Sequence, residues 1–212
     1  MMLLSQYTKF CSILLAASVL LGGALAAHRR ETIGFRTVSQ SEAVLINEFK
    51  RPIKILQKDI GVEFANKIGE GYYLINVPAG YQALNGDWYC VVEAESGKME
   101  DARKVWIPAS HESVTREDGT EKDLWTGDEE AIEEYIKAVG LNPRRALRFS
   151  DADSSGFDAA PDIKQMFIPI GMVNRVDLGL TAKCYETEEE LKYFFSDVLA
   201  WTGWEITNDP RQ

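Results

Sequence analysis

The chain is poor in histidine and cysteine, with two of the first and three of the second in 212 residues. Zinc sites lack their usual ligands, with two histidines and one expected disulfide in place of a His and Cys cluster. Catalysis by a free thiol lacks a base, since only His28 and His111 could serve. No Asn-x-Ser/Thr acceptor occurs, so N-glycosylation is not expected. The phosphate-binding P-loop and the G-x-S-x-G elbow are both missing, which removes two large enzyme classes. Basic charge is scarce: 23 Lys and Arg stand against 33 Asp and Glu, a net −10. Nucleic acids and anionic membranes want clustered cations. Neither is an expected partner, whereas a basic protein is.

Long apolar runs are confined to the N-terminus. Lys9 precedes an apolar run from Phe10 to Leu21, Gly22-Gly23 breaks it, and Ala24-Leu25-Ala26 supplies a small-x-small cleavage site. Residues 1–26 read as a signal peptide, too short in its apolar part for the ~20 residues of a bilayer span. Residues 27–212 then form a single secreted, extracellular domain, expected to be a monomer with no membrane contact. Losing Lys9 leaves 22 basic against 33 acidic residues, a net −11. Arg29-Arg30 is either a second processing site or an ordinary basic N-terminus. Cys11 leaves with the signal, and Cys90 and Cys184 most simply form one disulfide. Closing so long a loop restricts the unfolded chain by about 4–5 kcal/mol in the chain-entropy account.

Periodicity predicts a strand over 32–38, then a helix to about Phe49 opened by the capping box Ser39-x-x-Glu42. A helical stripe at 56, 60, 64 and 68 follows. Strands are predicted at 72–75, 88–93, 104–108, 146–150, 163–170 and 178–185, and a final edge strand at 201–206. Residues 109–127 read as an exposed polar loop. Helices are predicted from Asp128 to about Val139, and from the second capping box at Thr187 to about Leu199. The simplest architecture is one α+β domain with an antiparallel-type sheet.

Three segments carry a family resemblance. The first is Gly34-Phe-Arg36-Thr-Val, followed by the helix starting at Ser39. The second is Gly69-x-Gly71-Tyr72-Tyr73-Leu74 with Trp88-Tyr89-Cys90 after it. The third is Gln165-Met-Phe-Ile-Pro169. In this order they resemble ADP-ribosyltransferases, over about residues 33–170. The stretches G-F-R-T-V, K-V-W-I-P, A-L-R-F-S and Q-M-x-I-P are also similar to those of small secreted fungal proteins of effector or toxin-like type. The resemblance implies a split antiparallel sheet with flanking helices. It also implies NAD as cofactor: Arg36 would grip the diphosphate bidentately, Gly71 and Tyr72 would line the pocket, and Tyr73 would stack on the nicotinamide. The catalytic position, a glutamate in the family, is Gln165 here. An amide keeps a hydrogen bond but supplies no charge, and losing such stabilisation costs about 10²–10³ in rate.

Asp151-Ala-Asp153-Ser-Ser155-Gly156 with Asp162 at position twelve matches a calcium loop, although Pro161 and a terminal Asp depart from the EF-hand pattern. Three functions follow as expectations. The favoured one is a secreted effector or virulence-type protein that binds a host protein or nucleotide on this fold with degenerate catalysis. The others are an active ADP-ribosyltransferase or NAD hydrolase, and a calcium-dependent extracellular binding module using Asp151, Asp153, Ser155 and Asp162.

Overall fold

The β-branched segment predicted over 32–38 forms strand β1, Arg30–Val38. It sits near the middle of a seven-stranded sheet in a computed structural model that describes residues 29–53, 67–81, 86–152 and 163–211. The targeting segment 1–26, most of the helical stripe 55–68, and the loop residues Asp153, Ser155 and Asp162 lie outside the described residues. The remaining strands of the sheet are β2 (Gly71–Ile75), β3 (Trp88–Glu95), β4 (Arg103–Trp106), β7 (Ala146–Asp151), β8 (Lys164–Pro169) and β9 (Thr181–Tyr185). Their order is β4-β7-β8-β2-β1-β3-β9.

The sheet is mixed rather than purely antiparallel, because β4 and β7 pair in parallel. Its two halves meet at one place: β1 and β2 share the single register pair Phe35↔Ile75. By contrast β1 follows β3 along its whole length, with a bulge between Thr32 and Gly34. The outer edge at β9 is closed by a side chain. Asn47 donates from Nδ2 to the Cys184 carbonyl at 3.0 Å and accepts from the Cys184 N–H at 2.8 Å. Those groups would otherwise template pairing with another chain.

Helices lie where local chemistry starts them. Ser39 caps α1 (Gln40–Phe49), Asp128 caps α3 (Glu129–Ala138) and Thr187 caps α5 (Glu188–Phe194), each accepting a first-turn N–H. Two short helices were not expected, α2 (Ser96–Asp101) and α4 (Ile170–Asn174). One sheet face carries Tyr72, Leu74, Cys90, Phe149 and Met166 against Ala43 and Ile46 of α1, Met99 of α2 and Trp201. The other face has two separate cores. One gathers Tyr73, Phe167 and Val105 under Ile132, Tyr135 and Ile136 of α3. The second gathers Phe35, Ile75 and Val91 under Leu191 of α5.

The predicted polar loop 109–127 is instead a hairpin, β5 (Ser110–Thr115) with β6 (Glu121–Asp123). Only Val114, and Leu124 just beyond it, are buried there, so the apolar alternation that marks a strand is too sparse to read. The predicted edge strand 201–206 is a 3₁₀ turn, Trp201–Gly203, tied to the sheet by one parallel bridge between Val105 and Thr207. The last helix ends at Phe194, five residues before the expected limit.

Candidate functional site

The three motif segments, remote in sequence, lie on the adjacent strands β1, β2 and β8. Register then decides which side chains share a face. Phe35 stands opposite Ile75, Ile75 opposite Gln165, and Gln165 opposite Ser150. Paired residues point to the same side of a sheet, and neighbours along a strand to opposite sides. Gln165 therefore shares its face with Phe35 and Ile75, and Arg36 takes the other. Consistently, Arg36 is paired with Cys90 and its guanidinium lies 4.9 Å from the centroid of the Tyr72 ring. The expected pocket is divided by the sheet itself.

Each candidate residue has a local role. Arg36 lies with its Nε 3.6 Å from Glu42 Oε1, and it donates from Nη1 to the Tyr73 carbonyl at 3.5 Å. Tyr72 is fully buried, and its hydroxyl finds no hydrogen-bond partner among the described residues. Burial pushes its phenol far up, with the Arg36 charge offsetting part of the effect. The Tyr73 hydroxyl donates to the Gly69 carbonyl at 2.6 Å and accepts from the Ile68 N–H at 3.2 Å. Its ring meets Phe167 edge-on at 5.5 Å, and burial again raises the phenol. Tyr73 thus latches the turn that starts β2 rather than presenting a free stacking face.

The two glycines answer to packing. A Cβ on Gly69 (φ +110°) would fall 2.1 Å from Glu129 Oε2 and 2.3 Å from Arg148 Nη1. One on Gly71 would fall 2.1 Å from the Phe167 ring and 2.8 Å from the Ile168 carbonyl oxygen. Their close neighbours are the protein's own groups, so packing within the chain by itself requires glycine at both positions.

Gln165 is 2% exposed. Its Nε2 donates to Ser150 Oγ at 2.8 Å and toward the Asp151 carbonyl at 3.5 Å, so the amide nitrogen braces β7 to β8. The donor end of this buried side chain is thus committed to the protein's own oxygens. Asp151 of the calcium motif pairs with Lys164 at 2.6 Å. Among the described residues no group of three or more His, Cys, Asp and Glu could hold a metal ion.

Cys90 and Cys184 are joined, as expected, directly across the β3–β9 pair. Arg30, the second residue of the dibasic pair, is built into β1. It donates from Nε to Thr181 Oγ1 at 3.1 Å and from Nη2 to the Gly179 carbonyl.

The most elaborate polar arrangement was not anticipated. Arg148, in the middle of β7, is 2% exposed and forks onto Glu129 at 2.6 and 3.0 Å. It also donates to the Ile68 carbonyl at 2.8 Å and lies 4.4 Å from the Phe167 centroid. The signal was available: an arginine inside the apolar run Ala146-Leu-Arg-Phe149 must either break the strand or bring a partner. A groove of about 610 Å³ lies elsewhere, beside α5, lined by Trp88, Tyr185, Tyr193, Phe194 and several glutamates.

Fold and site together define a disulfide-closed α+β sheet protein whose motif residues are internal braces. A family model described as "Family of unknown function (DUF5910)" matches residues 66–209, and the chain belongs to that family. The match takes in β2 through β9 and leaves β1 and α1, with Arg36, outside it. No curated protein matches the chain in sequence. No described helix is long and apolar enough to cross a membrane.

Proposed function

We propose that this protein is a secreted, non-catalytic binding protein of effector type, built on a sheet that resembles that of ADP-ribosyltransferases, and that its target is a host protein. Two features support the sheet resemblance. The three motif segments fall on neighbouring strands, and the single β1–β2 rung parts the sheet into four strands and three, in keeping with the split sheet the resemblance implies. The disulfide is compatible with an oxidising, extracellular compartment.

The observation that carries the non-catalytic reading is the separation of Arg36 and Gln165 by the sheet. A glycosidic bond of NAD gripped on one face cannot reach a group buried on the other. Proximity and charge placement supply most of such a rate, and neither is available here. Tyr73, its hydroxyl latched and its ring enclosed, adds to the same reading.

The test is to incubate the oxidised chain with NAD and follow nicotinamide release. The expected rate equals that of buffer alone, for the wild type and for Arg36→Ala alike. Release above background that disappears in Arg36→Ala would overturn the reading in favour of an NAD-consuming enzyme.

A further inference from the structure

We infer that the groove between β9 and α5 binds a lysine- or arginine-bearing segment of a partner protein. The inference rests on the binding-protein reading only in supposing that a protein partner exists.

The aromatic part of the groove is unusual for a surface. Tyr193 is 82% exposed and Phe194 60%. Phe194 stacks on Tyr185 at 5.7 Å and 29°, and Tyr193 meets Phe194 edge-on at 4.9 Å. Trp88 of β3 lines the same groove. Contiguous exposed aromatics of this kind mark contact sites more often than isolated apolar residues do.

The rings already hold a cation. Lys183 Nζ lies 4.6 Å from the Tyr185 centroid and 5.6 Å from that of Phe194. Aromatic faces attract an ammonium or guanidinium through their quadrupole, and more strongly as water is excluded. The chain's own lysine thus shows which chemistry these faces accept.

Charge selects the occupant. Glu186, Glu189 and Glu190 line the groove, and Lys183 is the one cation among its described lining residues. At spacings of three and four residues, 186, 189, 190 and 193 fall on one side of α5 and the residues leading into it. Glu188 is already paired with Lys192, whereas no ion pair of Glu186 or Glu189 occurs among the described residues. Carboxylates in a row repel phosphates, which disfavours nucleic acid and anionic lipid. Spread along an open groove, they suit several cations on one extended segment better than a single small ammonium ion. The acidic balance of the whole chain steers such a partner toward the surface.

Hexalysine is the probe, titrated into the full oxidised chain at low salt and followed by backbone amide NMR. Saturable shifts confined to β9, α5 and Trp88 are expected, absent with the same peptide acetylated on every lysine. Tyr193→Ala, at a site exposed enough to leave folding intact, should weaken binding about tenfold. Glu186→Gln with Glu189→Gln should flatten the salt dependence. Equal binding of the acetylated peptide, unchanged affinity in Tyr193→Ala, or shifts centred on Glu130, Glu133 and Glu134 of α3 would each overturn the assignment. So would a concentration-dependent dimer that buries Tyr193 in sedimentation and NMR. Nicotinamide release bears on none of these outcomes, so the two readings fail separately.

Discussion

Reduction of Cys90–Cys184, or the double change Cys90→Ser and Cys184→Ser, is expected to lower the unfolding free energy by about 4–5 kcal/mol. The bridge spans a sequence separation of 94, so the loop it closes is long and takes in β4 through β8. In the chain-entropy account the stabilisation comes from the unfolded state, which loses freedom when two distant points are joined. The native sheet around the pair is otherwise complete. Asn47 holds the Cys184 backbone, and β3–β9 pairing runs from Tyr89 to Glu93. The folded form should therefore keep its backbone when reduced and lose only its margin. Since a whole domain of this size has ~5–15 kcal/mol in hand, that loss is large. Urea unfolding with and without reductant reads it directly. A midpoint shift worth under about 1 kcal/mol would mean that the reduced unfolded chain is already constrained, and that the loop argument does not apply.

The second large effect concerns the buried fork. Glu129→Ala should cost about 3 kcal/mol, the lower part of the range for breaking a buried ion pair. The cost arises from Arg148, which would remain buried with two nitrogens stripped of their carboxylate. It falls at the lower end because Glu129 is 42% exposed, so water can follow the departing carboxylate in part. Arg148→Met should cost less. The apolar side chain keeps the packing on Phe167, the freed Glu129 hydrates, and the main loss is the bond to the Ile68 carbonyl. The order of the two variants is the discriminating result. Were Arg148→Met the more damaging, the guanidinium would matter through its bonds to the backbone turn rather than through the charge left behind.

Local features of this fold are legible in the chain, and nonlocal ones are not. Ser39, Asp128 and Thr187 cap helices because the capping group sits within three residues of the N–H it accepts. The strands around Tyr72, Tyr89 and Phe167 announce themselves through aromatic and β-branched content. The parallel pairing of Arg103–Trp106 with residues 146–149 joins segments some forty positions apart, and nothing local specifies it. The candidate site turned on a finer matter. Whether Arg36 meets Gln165 depends on a one-residue register, and it is Phe35 that stands opposite Ile75. A slip of one residue flips every side chain to the other face, and motif order carries no such information. Arg148 shows the converse case, where a single charged residue in an apolar strand was a readable sign of a buried pair.

The glycines teach a related point. Gly69 and Gly71 have the spacing that suits close approach of a cofactor, yet the close approach is to Arg148, Glu129 and Phe167. A backbone that must come near something is all that such a motif states. What it comes near is settled by the strands on either side.

In the proposed reading, geometry as well as the missing charge at Gln165 keeps this sheet from consuming NAD. Nicotinamide release by Gln165→Glu tests it most directly, with retained folding checked by the intact disulfide and unchanged amide spectra. Restoring the carboxylate on the face away from Arg36 is predicted to yield no release above buffer. Release that appears with Gln165→Glu and is lost again when Arg36→Ala is added would contradict the account.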